Sequence, residues 1–224
     1  SLAPVDHAIA YVPSLDMYLD GTAEYSGSND FPAMDRGAMA LQINEGKTKL
    51  VHLPDPPASA STTTRSLSAT LAADGSALID WTTTVTGVNA PSWRVRYHAE
   101  SLRKDRLQDD LASDLPGAAV QSVDAGNLED VEAPVRIRAK VKLASFGRRD
   151  ENTLSVPIGP RDHMVRDWAS LSSRRLDLRI PAKTTDVSEY TIKIPAGAKI
   201  AAMPGGATAT SPFGDFRVVV EPIA

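Results

Sequence analysis

Two residues near the start of the chain have the types needed to move a proton, His7 and Asp20. They flank an alternating run, His7-Ala8-Ile9-Ala10-Tyr11-Val12, then Pro13-Ser14, then Tyr18-Leu19-Asp20-Gly21-Thr22. A hairpin turning at Pro13 and Ser14 sets His7 directly opposite Asp20 and leaves Tyr11 diagonal to Tyr18, where the two tyrosines serve packing. A carboxylate bonded to one ring nitrogen fixes the imidazole tautomer and supports its charged form, which frees the other nitrogen to activate a nucleophile. Read from residue type alone, a His on an apolar strand is more often a packed, hydrogen-bonded core residue than a catalyst. The nucleophile such a pair serves is missing, because the sequence holds 0 cysteines. Ser26 and Ser28 lie close by, but without the Gly-x-Ser-x-Gly elbow that exposes a serine nucleophile.

The order of His7, the alternating strand, the turn and Tyr18-Leu19-Asp20-Gly21-Thr22 resembles the His and Asp strands of the bacterial transglutaminase-like superfamily of papain-type cysteine enzymes. The resemblance continues through Arg65, Asp74-Gly75, Thr86-Gly87, Pro116-Gly117 and Pro212-Phe213-Gly214, a stretch similar to the β-rich domain of unknown function that follows the transglutaminase core. One departure is Asp20-Gly21-Thr22 where the family commonly has Asp-Pro-Thr; the carboxylate is kept. The resemblance implies a catalytic order Cys, His, Asp, with His7 as general base, Asp20 as its orienting partner and the Cys on a helix upstream of this chain. It also implies a carboxy-terminal fragment of a larger protein, inactive alone, whose parent is a cysteine protease or acyltransferase acting on a protein or peptide. The implied partner is the missing upstream catalytic half, and the implied location is exported or periplasmic in a bacterium. The rival expectation is a binding or scaffolding β module without catalysis.

Other candidates carry less. His52, His98 and His163 have no compact ligand spacing, so they are expected at the surface, and neither a metal nor a cofactor is expected. Asp105, Asp109, Asp110 and Asp114 alternate with Arg103, Lys104 and Arg106 as on a solvated helix face. Arg136, Arg138, Lys140 and Lys142 occupy every second position and make a basic row that keeps an exposed sheet face soluble. Trp81, Trp93 and Trp168 are too scattered for a carbohydrate platform and are assigned to packing. No phosphate-binding glycine loop or dinucleotide fingerprint is present.

The totals agree with a globular protein. Hydrophobic residues make up 42% but aromatics only 5%, so Val, Leu, Ile and Ala must fill the interior. A net charge of -4 excludes a nucleic-acid binder built on bulk positive charge. No apolar run reaches the ~20 residues that span a bilayer. An exposed half-domain would invite self-association.

The elements that must position these residues are mostly short strands. Ala38–Asn44 and Thr48–Leu53 read as a hairpin across Glu45-Gly46-Lys47, and Pro54-Asp55-Pro56-Pro57 as a stiff break. Arg65–Leu71 and Ala77–Val85 flank Asp74-Gly75, a strong hairpin signature. Asn89 and Pro91 open a helical stretch with an apolar stripe at Val95, Ala99, Leu102, Leu107, Leu111 and Leu115, whose five-residue step implies a kink or two helices. Strands follow at 118–123, 135–143, 154–158, 175–180, 188–194, 198–201 and 216–220. The expected architecture is mainly β: an antiparallel sandwich-like domain at 61–224 with one substantial helical region, a connecting segment at 25–60, and a hairpin remnant of a catalytic core at 1–24.

Overall fold

A two-residue apolar period gives a strand one wet and one dry face, and the longest strands of this chain obey it closely. The computed structural model describes residues 6–28, 30–159, 166, 168, 170–178 and 180–223. His163 and part of the expected strand at 175–180 therefore lie outside the described residues. The chain divides into two compact units, Ser1–Lys193 and Ile194–Ala224.

The first unit is built on a five-stranded sheet. Its strands are β5 (Thr62–Leu71), β6 (Ala77–Val85), β7 (Ala118–Gly126), β8 (Val135–Leu143) and β11 (Thr185–Lys193), in the spatial order β11-β5-β6-β8-β7. Three pairings are antiparallel, while β11 runs parallel to β5. Val135, Ile137, Ala139, Val141 and Leu143 of β8 are buried, and Arg136, Arg138, Lys140 and Lys142 between them are exposed, as the alternation predicts. Lys140 reaches Asp80 on the neighbouring strand at 2.9 Å, so the basic row is part of a solvated, charge-mixed face.

The dry face is covered by helices. Helix α1 (Ala90–Tyr97) begins with Pro91 in its first turn, where the missing N–H costs nothing. Helix α2 (Arg103–Leu111) follows after a short 3-10 turn, so the five-residue step in the apolar stripe does separate two helices. Ala90, Arg94 and Tyr97 face the interior from α1, and Leu107 and Leu111 from α2. Val95 and Leu102, placed on the stripe by the sequence, are instead exposed. Val95 sits on the outer face of α1, beside the inward-facing Arg94, and Leu102 lies in the 3-10 turn between the helices, so one helical period does not run through both. The protein is mainly β, with two helices packed against the sheet.

Small hairpins complete the unit. Strands β1 (Ala10–Val12) and β2 (Met17–Leu19) pair, as do β3 (Met39–Asn44) and β4 (Lys47–His52), and β9 (Arg148–Asp150) and β10 (Thr153–Ser155). The β3–β4 turn is tighter than the sequence suggested. Only Glu45 and Gly46 form it, both with positive φ (48° and 73°), the geometry of a two-residue hairpin turn. In the second unit β12 (Ala207–Ser211) and β13 (Gly214–Val218) form one more antiparallel pair. The expected strands at 175–180 and 198–201 are not strands among the described residues. Leu176 is 85% exposed, so the apolar position that suggested a strand there buries nothing.

Candidate functional site

The turn that brings the ends of the first hairpin together spans Pro13 to Asp16. Its first hydrogen bonds run from Leu15 N–H to Val12 C=O at 3.2 Å and from Asp16 N–H to Pro13 C=O at 3.4 Å. Four residues in the turn instead of two move the ladder by two positions from the expected register. Tyr11 now directly faces Tyr18, with ring centroids 4.8 Å apart, and is not diagonal to it. Likewise His7 and Asp20 are not a directly opposed pair. A shift of two preserves the face on which each side chain stands, whereas a shift of one would reverse it. His7 therefore still meets Asp20, just beyond the end of the ladder, and Nε2 lies 3.1 Å from Oδ2.

Asp20 is held from its other side. Its Oδ1 accepts from the Thr22 N–H at 2.9 Å and from the Thr22 hydroxyl at 2.8 Å, a local turn that Asp with a following Thr forms readily. Only 1% of its side chain is exposed, against 28% for His7. Burial pushes the Asp20 carboxyl up, but the Thr22 amide, the Thr22 hydroxyl and His7 together outweigh it and keep the group below its ordinary range. A carboxylate only accepts, so Nε2 carries the hydrogen of this bond and Nδ1 is the nitrogen left for other chemistry.

Asp35 carries no local motif that points to it, and the structure places it beside the pair. Its Oδ1 lies 3.9 Å from His7 Nε2, its side chain is 7% exposed, and its Oδ2 is buried without a hydrogen-bond partner. Burial raises its pKa, with the nearby Asp20 adding to the effect. The residue arrives there through a turn at 32–38, in which Asp35 N–H bonds to Pro32 C=O and Ala38 N–H to Asp35 C=O, both at 3.1 Å. No local motif announces it; only the spatial neighbourhood does.

Two buried arginines tie the surrounding chain down. Arg36 donates from Nε to Phe31 C=O at 2.8 Å and from Nη2 to the Ser61 hydroxyl at 3.1 Å. Arg94 of α1, 1% exposed, donates to the carbonyls of Tyr25, Val131 and Ala133 at 2.8 Å each and pairs with Asp30 at 3.2 Å. Ser28 bonds Glu132 through both its N–H and its hydroxyl, which turns it from a nucleophile candidate into an anchor. Gly27 passes so close to Val131 C=O that a Cβ would collide with it. Between these anchors and Asp20 lies a cleft of about 230 Å³, with Tyr18, Ser26, Asp30 and Phe31 in its wall.

The remaining predicted residues stay apart from this cluster. His52 ends β4, and His98 faces Glu129 at 3.2 Å on the surface. Asp110 accepts from Arg96 and, at 2.5 Å, from the Tyr97 hydroxyl, in keeping with an ion-paired helix face. Among the described residues no helix is long and apolar enough to cross a membrane.

Residues 158–223 match the family described as Domain of Unknown Function with solved-structure structure (DUF3858). Neither the curated proteins nor the solved structures yield a match to the chain.

Proposed function

We propose that His7 and Asp20 are the general base and its orienting carboxylate in a transglutaminase-like cysteine hydrolase or transamidase whose thiol comes from polypeptide outside this sequence. The observation that carries this reading is the Nε2–Oδ2 contact of 3.1 Å, which leaves Nδ1 for the thiol. Nδ1 takes the thiol proton as sulfur attacks the acyl carbon, then returns it to the departing amine. The thioester so formed is resolved by water or by a second amine. The match at 158–223 agrees with a β-rich domain of unknown function following such a core. This chain by itself is inactive on this account, with residues 1–24 the end of the catalytic core, 25–60 a connector and 61–224 an accessory domain.

A row of exposed apolar side chains supports a missing neighbour. Met39, Leu41 and Ile43 alternate along β3 at 65%, 50% and 70% exposure, and Leu50 faces Leu41 from β4. On the catalytic reading the Cys-bearing half covers this face. On the alternative reading, a binding or scaffolding module, the same face serves a different protein. The test is to join the Cys-bearing region of the parent gene to this chain and assay thiol-dependent hydrolysis or amine transfer. Activity that requires the Cys and collapses in His7→Ala supports the assignment; activity indifferent to His7→Ala refutes it.

A further inference from the structure

Three potential metal-ligand atoms converge where the hairpin meets the turn at 32–38. They come one each from His7, Asp20 and Asp35, all within 4.8 Å of one another. The imidazole nitrogen stands 3.1 Å from one carboxylate and 3.9 Å from the other. Ligand atoms around a tetrahedral ion with bonds of about 2.0–2.2 Å lie roughly 3.3–3.6 Å apart, so small side-chain rotations suffice to close this set around one ion. An independent feature points the same way. Asp35 is more than nine-tenths buried, yet its Oδ2, the oxygen beside the Oδ1 that faces His7, has no hydrogen-bond partner, an arrangement that costs free energy unless a cation within reach of that carboxylate compensates it.

We propose that His7, Asp20 and Asp35 bind a divalent transition-metal ion of the zinc class. The donor set selects that class: an imidazole suits Zn²⁺, Co²⁺ or Ni²⁺, whereas Mg²⁺ and Ca²⁺ take oxygen ligands almost exclusively. Two carboxylates balance the charge of the ion. Thr22 supplies the outer support, because its two hydrogen bonds hold Asp20 Oδ1 and aim Oδ2 inward. The partial exposure of His7 gives the ion a way in and leaves the remaining coordination position to water. Binding takes the nitrogen that otherwise donates to Asp20, so an occupied site cannot also keep the hydrogen bond of the acyl-transfer reading. The metal proposal stands on the cluster itself and does not depend on that reading.

The test is isothermal titration of the whole chain with ZnCl₂ at pH 7.5, in parallel with MgCl₂ and CaCl₂, followed by NMR of the histidine rings. One zinc per chain is expected, with no comparable uptake of magnesium or calcium and with the His7 ring resonances shifted. Removing a direct ligand in Asp35→Asn weakens zinc by more than the roughly 10–100-fold lost when an outer-shell partner is removed. His98→Ala, at the exposed His98–Glu129 pair, leaves affinity unchanged. Absence of zinc binding overturns the proposal, as does binding that survives Asp35→Asn and His7→Ala or vanishes in His98→Ala. Should a variant fail to fold, the ring shifts of the wild-type chain decide: zinc that moves His98 and not His7 also overturns it.

Discussion

The sheet and the first hairpin of this protein are held by different forces. In the sheet, apolar side chains such as Val85, Val135 and Ile137 are fully buried, and each contributes about 1.5–3 kcal/mol by leaving water. Around the His7–Asp20 pair the largest buried groups are polar: Asp20, Asp35, Arg36 and, just beneath, Arg94. The nearby β3 strand exposes its Met, Leu and Ile. Burial of carbon makes a stable platform that tolerates many sequences, whereas buried charge is costly and is kept where geometry has to be specific. The contrast sets polar burial around the first hairpin against apolar burial in the sheet.

Breaking the anchor between the two regions has the largest expected effect. Arg94→Ala strips five acceptors of one donor group, Asp30 among them, so urea unfolding should show a loss of about 3–5 kcal/mol, the range for breaking a buried ion pair. Proteolysis within residues 25–30 should accelerate in the same variant. A loss below 1 kcal/mol, or unchanged cleavage, would mean that the arginine does not hold the hairpin region to the platform.

The comparison sharpens with one substitution made in both regions. Ile137→Ala, at a position with 0% exposure, should cost about 2–5 kcal/mol, while Ile43→Ala, at 70% exposure, should stay within about 0.5 kcal/mol. Equal costs would show that the β3 face is covered in solution, as by self-association.

A smaller effect separates the two carboxylates by sign. Asp35 titrates above its ordinary range in the folded protein, so its protonation favours folding and its contribution is lost as pH rises through that raised value. Asparagine is neutral at every pH, and Asp35→Asn should therefore stabilise the metal-free chain at pH 7, an advantage that shrinks as pH falls and disappears below about pH 4. Asp20 titrates below its ordinary range, so its contribution is present above about pH 4 and lost as pH falls through the folded value. Asp20→Asn should destabilise at pH 7 and flatten the acid limb of the stability curve. Shifts of the same sign in both variants would contradict the opposed roles.

How much of this the sequence revealed depended on the range of the interaction. The β5–β6 hairpin was legible because Asp74-Gly75 and the alternation on each side are local instructions. So was the wet face of β8. The parallel pairing of β11 with β5 joins Thr185 to Thr62, and nothing in either segment names the other. The His7–Asp20 pair could be read from its spacing, although the four-residue turn displaced the register by two. Asp35 and Arg94 could not be read at all. Their importance comes from being buried among groups distant in sequence, a property that residue type alone does not carry.

The ring nitrogens of His7 offer the most direct test of the catalytic reading, through ¹⁵N NMR of the metal-free chain and of Asp20→Asn. The account predicts that Nε2 carries the hydrogen of the bond to Asp20 and that Nδ1 is the nitrogen open to a partner, with that preference disturbed when Asp20 is replaced. A ring protonated at Nδ1, or resonances indifferent to Asp20→Asn, would contradict it.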